Sequence, residues 1–245
     1  MPGFVDVHSH VVPSGDDGVG TIEEGLSLCR AAAERGTRVL FATPHVWPHF
    51  GLTDEREEEV RGAYAAMRPR AAAAGLDLRL GFELTPTHSL LEEDLARYRL
   101  ADLAAVLMEL PFAGPLALAE RLAEELTAAG LTPVVAHPER AVEIAEAPER
   151  ARGYAERGWL LQVNASSLLG YHGEDPEETG WLLVEEGLVS LVGSDGHRAA
   201  RPPFLDQAYE ATARRLGEDA AAPLFDGSAL EPLAMRGRAD VAERR

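Results

Sequence analysis

Two histidines and two aspartates lie close together near the start of the sequence. His8 and His10 follow a short apolar run, and Asp16 and Asp17 come after them in a glycine-containing turn. Because side chains two residues apart in a strand point to the same face, both imidazoles can reach one metal ion at a strand end. One pair of this kind is equally consistent with ordinary strand residues, so the other histidines and acids along the chain must decide.

The elements that must position these groups alternate between strand and helix. The predicted strands are Phe4–Val7, Val39–Ala42, Leu76–Leu80, Leu103–Met108, Pro133–Ala136, Trp159–Val163 and Leu188–Val192. The predicted helices are Thr21–Arg35, Asp54–Ala74, Leu90–Leu100, Leu116–Ala129, Pro148–Arg157, Glu177–Glu186 and Leu205–Leu216, with Thr21 and Asp54 as caps. Such alternation favours a parallel sheet with right-handed crossovers. We expect an α/β fold, a distorted (β/α)7 TIM-like barrel, as one domain over residues 1–245.

Polar side chains cluster directly after these predicted strands. They are His8, His10, His45, Glu83, Glu109, His137, Asp195 and His197. In parallel α/β folds the carboxyl ends of the strands carry the active site. So many polar groups at one end are costly to desolvate, and bound cations would offset that cost.

The types of these side chains indicate which metals they suit. With Asp17 there are nine candidate ligands, which are histidines and carboxylates without a thiolate. This set suits Mn²⁺, Fe²⁺ or Zn²⁺. A catalytic site for one ion uses three or four protein ligands, so nine candidates predict two or three ions with a bridging carboxylate.

Composition disfavours several other classes of protein. A formal net charge of -18 repels nucleic-acid backbone and anionic membrane surfaces. The absence of lysine excludes a Schiff base, a P-loop lysine and a carbamylated-lysine metal bridge. The single cysteine, Cys29, excludes an internal disulfide, and core packing is its expected role. No signal peptide or membrane-spanning run is recognisable, so a cytoplasmic location without stable membrane insertion is expected, and the oligomeric state stays open.

Several short motifs carry a resemblance to a known family. They are His8-Ser-His10, Asp16-Asp17-Gly18, Thr43-Pro-His45, Gly81-Phe-Glu83, Glu109, Ala136-His137-Pro-Glu-Arg140, Gln162-Val-Asn164, Gly193-Ser-Asp195-Gly-His197 and Arg201-Pro-Pro203. Together they resemble the PHP (polymerase and histidinol phosphatase) superfamily and, within it, the CpsB/CapC-type bacterial tyrosine-protein phosphatases. The resemblance runs in order from residue 3 to about residue 225.

The resemblance implies a trinuclear metal site, usually described with manganese, and assigns ligands to each ion. His8, His10, Glu83 and Asp195 would hold one ion; Glu83 would bridge to a second, shared with Glu109 and His137; and Asp17, His45 and His197 would hold the third. It also implies that Arg140 and Arg201 contact the phosphate. The sequence departs from the family after His45, where Val46-Trp-Pro-His49 replaces a basic or glycine-containing loop, and this difference bears on substrate preference more than on chemistry.

The expected reaction is hydrolysis of phosphotyrosine by attack of a metal-bridged hydroxide on phosphorus. The ions and the two arginines would offset charge on the phosphate oxygens. The expected partner is a phosphotyrosine-containing protein, with a bacterial tyrosine kinase of capsular or exopolysaccharide synthesis as the first candidate.

Some residues near the strand ends have two interpretations. His49, His88 and His172 could touch substrate, but they are expected to be solvent-exposed loop residues. Trp47 and Phe50 could stack on a tyrosine ring or form a hydrophobic lid. Asp16 is expected to form an Asx-type turn with Gly18, and Asn164 either supports a ligand or caps a turn.

Three other functions compete with tyrosine phosphatase activity. The first is a histidinol-phosphate or other small-molecule phosphomonoesterase. The second is a TatD-like nuclease or an amidohydrolase, which the acidic charge and the missing lysine disfavour. The third is a barrel that binds without catalysing, which the complete set of ligand positions disfavours.

Overall fold

The structure is a computed structural model, and it describes residues 3–235. Its strands are β1 (Phe4–Asp6), β2 (Thr37–Ala42), β3 (His45–Val46), β4 (Asp77–Leu80), β5 (Glu83–Leu84), β6 (Ala105–Glu109), β7 (Thr132–Ala136), β8 (Leu160–Asn164) and β9 (Leu191–Gly193). They form a 3-stranded sheet in the order β1-β2-β4 and a 6-stranded sheet in the order β3-β5-β6-β7-β8-β9. Every strand pairing is parallel.

The two sheets join into one barrel. The segments β2 and β3 continue each other, as do β4 and β5, because Gly81 N donates to Ala42 O (2.9 Å) and Glu83 N donates to Pro44 O (3.1 Å) across the interruption. A parallel bridge between Ser9 and Gly196 connects the extension of β1 to that of β9. The nine segments therefore occupy seven strand positions, and the prediction of a distorted (β/α)7 barrel is confirmed.

The helices surround this barrel. They are α1 (Ile22–Glu34), α2 (Asp54–Ala73), α3 (Ala117–Ala128), α4 (Val142–Glu146), α5 (Glu149–Glu156), α6 (Ala165–Leu168), α7 (Glu174–Glu185), α8 (Asp206–Leu216) and α9 (Glu218–Phe225). The predicted cap at Thr21 is confirmed, because its side chain accepts a hydrogen bond from Glu24 N (3.2 Å). Within residues 3–235, no helix has both the length and the apolar character that a bilayer crossing requires.

Two local predictions are wrong. Instead of one helix over Leu90–Leu100, the chain forms two 3-10 helices, Ser89–Glu92 and Leu95–Tyr98. Glu93 is extended between them, and the side chain of Asp94 accepts from Ala96 N, so a continuous α-helical ladder cannot form. The cap of α2 is Thr53, which accepts from Arg56 N, and Asp54 is the first helical residue.

The core has two parts. The larger part packs the helices against the outer surface of the strands. The smaller part comprises Val7, Phe41, Leu100, Leu103, Ala105, Leu107, Val134, Ala136, Leu191 and Leu230. Its strand residues alternate along the chain and lead to the polar residues at the strand ends, so we assign this cluster to the barrel interior.

Candidate metal centre

Glu83, the first residue of β5, lies at the centre of the polar cluster. Its Oε2 is 3.0 Å from His8 Nε2 and 3.3 Å from His10 Nε2. Its Oε1 is 3.0 Å from His137 Nε2. The carboxylate is fully buried, and its two oxygens face different imidazoles.

Asp195 forms the opposite side of this cluster. Its Oδ1 is 3.3 Å from His8 Nε2 and 3.4 Å from His10 Nε2. The ring nitrogens of the two histidines therefore face the same pair of carboxylates, Glu83 and Asp195. This is the arrangement that the spacing of His8 and His10 predicted for the end of the first strand.

A second group lies closer to solvent. Asp17 Oδ1 is 3.2 Å from His197 Nε2 and 3.6 Å from His45 Nε2. The His10 ring connects this group to the buried one, with its centroid 3.9 Å from that of His197 and 4.3 Å from that of His45. The Asp17 side chain is 58% exposed, so an ion held here would remain accessible to substrate.

Two turns that follow strands place ligands by unusual backbone conformations. His137 has φ 34° and Asp195 has φ 52°, both in the left-handed region. Such a conformation costs a residue other than glycine about 1–2 kcal/mol. Hydrogen bonds hold both turns, because His137 N donates to Gln162 O (2.7 Å) and Asp195 N donates to His8 O (2.9 Å). The turns direct the side chains into the cluster and away from the barrel wall.

Charge interactions keep the carboxylates ionised. Burial alone would raise the pKa of Glu83, but the surrounding His8, His45, His10 and His137 hold that pKa well below its ordinary value. Burial and the neighbouring histidines oppose each other in the same way at Asp195, where the resulting pKa is also well below its ordinary value. Both groups therefore offer anionic oxygens at neutral pH.

The histidines separate into two classes. Burial would lower the pKa of His10 and of His137, but nearby carboxylates raise the pKa of His10 well above its ordinary value and that of His137 to about 9. Burial lowers the pKa of His45 to about 4 and also lowers that of His197. His45 and His197 are therefore neutral and ready to donate a lone pair, whereas His10 and His137 must lose a proton to bind a cation.

The residues present fit a multinuclear metal site. Three groups of side chains each place one ligand atom per residue within 4.8 Å of one another: His8, Glu83 and His137; His8, His10 and Asp195; and His10, Asp17, His45 and His197. Among the described residues, His137 Nδ1 is buried without a hydrogen-bond partner, and His45 Nδ1 lies 3.1 Å from Glu83 Oε2 without hydrogen-bond geometry. Imidazole and carboxylate at this density suit Mn²⁺, Fe²⁺ or Zn²⁺.

The sequence matches the family described as "Capsular polysaccharide synthesis, CpsB/CapC" over residues 4–232. The chain belongs to the CpsB/CapC family. The recognition of this family from the sequence motifs is confirmed.

Known proteins similar to this CpsB/CapC chain include a curated relative and solved structures. Tyrosine-protein phosphatase YwqE of Bacillus subtilis is 33% identical over 209 residues, which cover 83% of this chain and 81% of the relative. One of the crystal structures of YwqE from Bacillus subtilis and CpsB from Streptococcus pneumoniae, described as unique metal-dependent tyrosine phosphatases, superposes with a TM-score of 0.80. It shares 30% identity and covers 90% of each chain. The lactonase Lmo2620 from Listeria monocytogenes shares only the fold, with 13% identity, a TM-score of 0.58 and coverage of 96% of this chain and 95% of the lactonase.

Glu109 differs from the other predicted ligands of this CpsB/CapC protein. Within residues 3–235 it joins none of the three groups of candidate ligands. Its carboxylate accepts a short hydrogen bond from Thr85 Oγ1, and burial together with the charge of Glu83 raises its pKa to about 7. Its role as a ligand stays a prediction.

Both predicted arginines reach the cluster through Asp195. Arg140 Nη1 donates to Asp195 Oδ2 (3.5 Å), and Arg201 Nη2 donates to Asp195 Oδ1 (3.4 Å). Arg201 also contacts the imidazole of His197. The Arg140 side chain is 20% exposed and that of Arg201 is 34% exposed, so both are accessible to a ligand at the mouth of the barrel.

Sequence reasoning assigned no role to three buried polar residues that support the site. Arg56 donates to the carbonyl oxygens of Ser14 (3.0 Å) and His45 (2.9 Å) and so ties two loops of the mouth together. Asp6 Oδ1 accepts from His8 N (3.2 Å) and Ser194 N (3.0 Å), and Glu139 Oε1 accepts from Asn164 N (3.1 Å). Most of these contacts join different segments of the chain, and periodicity carries no signal for such contacts.

The three histidines assigned to loops differ in their exposure to solvent. His49 and His88 are exposed, as expected. The interpretation of His172 is wrong, because it is half-buried and its Nε2 lies 2.8 Å from Ser166 Oγ. Burial and then the charges of Arg140 and Arg201 lower the pKa of His172 to about 4. The ring is therefore neutral at neutral pH.

Two aromatic residues of the loop after His45, where the sequence departs from the family pattern, pack against residues of the site. Trp47 stacks on His45 with ring centroids 4.6 Å apart, and Phe50 packs under Arg56 with its centroid 4.0 Å from the guanidinium. Asp16 forms the expected turn by accepting from Gly18 N (3.0 Å), and it also lies 3.4 Å from His10 Nδ1. The turn residue therefore supports a candidate ligand as well.

Proposed function

We propose that this CpsB/CapC protein is a metal-dependent tyrosine-protein phosphatase that uses two or three divalent cations. Mn²⁺ is the first choice, and Fe²⁺ and Zn²⁺ are alternatives. The observation that carries the proposal is the convergence of ionised carboxylates and imidazoles from most of the barrel strands on one mouth. The names of its relatives, which are tyrosine-protein phosphatases, select the reaction.

The proposed ligands fall into three sets that share members. His8, His10, Glu83 and Asp195 would hold one ion, Glu83, Glu109 and His137 a second, and Asp17, His45 and His197 the third. The distances around Glu83 and Asp195 support the first set directly. Glu109 would have to leave Thr85 to complete the second set.

Ions bound at such a site lower the pKa of water to near neutrality and offset negative charge on a phosphoryl group. The chain's own contribution is to orient the substrate. Arg140 and Arg201 present guanidinium groups from two sides of Asp195, and their planar N–H donors match phosphate oxygens. They would hold the phosphate in line for attack and stabilise the charge on its equatorial oxygens.

Two clefts beside the mouth fit the rest of a phosphotyrosine peptide. A cleft of about 280 Å³ is lined by Glu109 and by Phe112, which is 45% exposed. Phe112 lies 5.6 Å from the His137 ring and carries the Arg140 guanidinium at 4.3 Å, so a substrate ring beside it would stay close to the phosphate donors. A second cleft of about 510 Å³ is lined by Arg201, His172 and Tyr171 and would take flanking peptide.

A covalent cysteine mechanism does not fit the chain. Cys29 is buried in α1, and burial raises the pKa of its thiol to about 12. It therefore offers neither a thiolate nor access to a phosphate at neutral pH.

We further propose that the protein acts as one domain in the cytoplasm on a phosphotyrosine-containing protein, with a tyrosine kinase of capsular or exopolysaccharide synthesis as the first candidate. Membership in a family of capsular polysaccharide synthesis supports this choice. A net charge of -18 disfavours nucleic acid as a substrate.

The test combines elemental analysis with turnover. Purified protein should contain two or three equivalents of transition metal per chain, and it should hydrolyse a phosphotyrosine peptide. A chelator should reduce turnover to background, and added Mn²⁺ should restore it. Histidinol phosphate and a DNA oligomer serve as competing substrates, and faster turnover of either one would reverse the assignment of substrate.

A further inference from the structure

A line of four buried side chains connects two of the proposed ligands behind the metal site. His8 Nδ1 lies 2.8 Å from Gln162 Oε1, Gln162 Nε2 lies 2.9 Å from Asn164 Oδ1, and Asn164 Nδ2 lies 2.9 Å from Asp195 Oδ2. His8, Gln162 and Asn164 have no exposed surface, and Asp195 is 2% exposed. Water therefore cannot substitute for a missing hydrogen bond in this line.

The Asp195 carboxylate, at one end of the line, fixes which atom donates and which accepts in each hydrogen bond. Asp195 Oδ2 accepts from Arg140 (3.5 Å) and Asp195 Oδ1 accepts from Arg201 (3.4 Å), and a guanidinium group can only donate, so both carboxylate oxygens act as acceptors. Asn164 must then present its amide nitrogen to Asp195 and its oxygen to Gln162. The oxygen accepts from the Gln162 amide nitrogen, which leaves the Gln162 oxygen facing His8 Nδ1.

The consequence for His8 is a single tautomer. Since Gln162 Oε1 can only accept, His8 Nδ1 must carry a hydrogen, and in the neutral ring Nε2 then carries a lone pair. His8 Nε2 is the atom that faces Glu83 Oε2 at 3.0 Å and Asp195 Oδ1 at 3.3 Å. The lone pair therefore points to the proposed metal position.

The surrounding backbone holds the two amides in place. A Cβ on Gly193 would lie 3.0 Å from the Gln162 amide and 3.1 Å from His8 Cβ, so only glycine lets this amide lie next to β9 without displacement. On the other side, Glu139 Oε1 accepts from Asn164 N (3.1 Å) and from Ser167 Oγ (2.7 Å). The line thus has little freedom to rotate or shift.

We propose that Gln162 and Asn164 are positioning residues that select the metal-binding tautomer of His8 and orient Asp195. The inference rests on the proposed metal function of His8 and Asp195. Neither amide faces the ligand cluster directly, and each acts through the ligand that it contacts. Partners of this kind typically change metal affinity by about 10–100-fold when they are removed.

The test measures Mn²⁺ affinity by isothermal titration calorimetry on the full chain. Gln162→Met keeps the size of the side chain but removes the acceptor at His8, and we expect the affinity for the tightest ion to fall by about 10–100-fold. Gln162→Glu keeps an acceptor at His8 Nδ1 but loses the donor to Asn164 Oδ1, so its affinity should exceed that of Gln162→Met by at least about tenfold and stay below that of the wild type. A role in packing alone would not produce this difference.

Two further variants complete the design. The Asn164 amide contacts Asp195 and Gln162 but not His8. Asn164→Leu removes both contacts and should also weaken Mn²⁺ binding by about 10–100-fold. Thr212→Val removes a buried hydroxyl that donates to Ala208 O in α8, and its Mn²⁺ affinity should equal that of the wild type. Thermal unfolding in chelator reports the stability of each variant separately from metal binding. If Gln162→Met does not fold, the contrast between Gln162→Glu and Asn164→Leu still tests the proposal.

The inference is overturned if Gln162→Met binds Mn²⁺ as tightly as the wild type, or if Gln162→Glu binds as weakly as Gln162→Met. It is separable from the proposed function, because phosphotyrosine turnover is measured independently. A wild type that binds Mn²⁺ without hydrolysing phosphotyrosine would overturn the function and leave the positioning role standing.

Discussion

The two ends of the barrel interior differ in what their side chains do for the protein. At the mouth, Glu83 and Asp195 are buried among histidines and arginines. At the base, Leu100, Leu103 and Leu230 close the barrel with apolar contacts. The same strands connect both ends, so the difference comes from the side chains and from the turns at the strand ends, including the left-handed turns at His137 and Asp195.

This difference separates the energetics of folding from those of binding. Apolar burial at the base stabilises the folded chain by about 25 cal/mol for each Å² removed from water. Buried charges at the mouth lose hydration, and their mutual attraction only partly offsets that loss. The mouth is therefore a region whose full stabilisation depends on what binds there, and the base is the region that supports it.

The largest expected effect is that of Glu83→Gln at the mouth. The substitution keeps the shape but removes the charge that faces four histidines. We expect kcat/KM on a phosphotyrosine peptide to fall on the order of 10³-fold, since several kcal/mol of metal-dependent stabilisation are lost. Glu58→Gln on the exposed face of α2 is the matched control and should leave activity unchanged. Wild-type activity in Glu83→Gln would remove the central distinction between mouth and base.

The next effect concerns the base. Leu103→Ala should lower the free energy of unfolding by about 2–4 kcal/mol, because it creates a cavity in a packed apolar cluster. Leu103 lies six residues before Glu109, so the cavity is about 20 Å from the end of β6. Chemical denaturation measures the loss. The kcat and the Mn²⁺ affinity of the folded variant should match the wild type, and a change in either would show that the two ends are coupled.

Smaller effects are expected for the arginines at the mouth. Arg140→Lys and Arg201→Lys keep the charge but lose the planar pair of donors. Each should reduce kcat/KM by about 10–100-fold. Arg214→Lys on the exposed surface of α8 should have no effect and serves as the control. Full activity in both mouth variants would show that these guanidinium groups do not contact the phosphate.

A pH dependence should distinguish the mouth from the base. Carboxylates raise the pKa of His137 to about 9, so this imidazole is protonated below that pH and must release its proton to bind a cation. Mn²⁺ affinity should therefore rise with pH between about 6.5 and 8.5, by up to about tenfold per unit for each proton released. Calorimetry in buffers of different ionisation enthalpy counts those protons. Leu103→Ala should show the same slope, whereas a flat profile in the wild type would contradict proton release.

The smallest expected effect is that of Phe112→Ala at the rim of the mouth. Loss of one aromatic contact should reduce kcat/KM for a phosphotyrosine peptide by about 3–10-fold. Phe112 also supports Arg140, and loss of that support would change kcat/KM for a matched phosphoserine peptide as well. The ratio of kcat/KM for the phosphotyrosine and phosphoserine peptides therefore isolates the contact with the tyrosine ring. An unchanged ratio would place the tyrosine ring elsewhere, with Trp47 on the His45 side as the next candidate.

Local prediction was weakest where the chain leaves regular structure. The pattern over Leu90–Leu100 resembles a helix, but Glu93 is extended and Asp94 starts a second 3-10 turn. The segments β3 and β5 and the helix α6 are too short to show a periodicity. Hydrogen bonds to neighbouring strands define these short strands, and those bonds depend on residues far away in the chain.

The sequence by itself determined where the functional groups gather. Polar side chains follow apolar strand patterns, and parallel strands bring their carboxyl ends to one edge, so convergence of His8, His45 and Glu83 follows from order along the chain alone. The motifs were also sufficient to identify the family.

Only the tertiary structure decided how these groups are connected. It showed that Glu83 faces several histidines at once, that Glu109 lies apart with Thr85, and that Gln162 and Asn164 link His8 to Asp195. The physical reason is the separation along the chain between the residues that make these contacts. Periodicity reports which face of its own element a residue occupies, whereas these contacts join residues on different strands, and their geometry is set by the closure of the barrel.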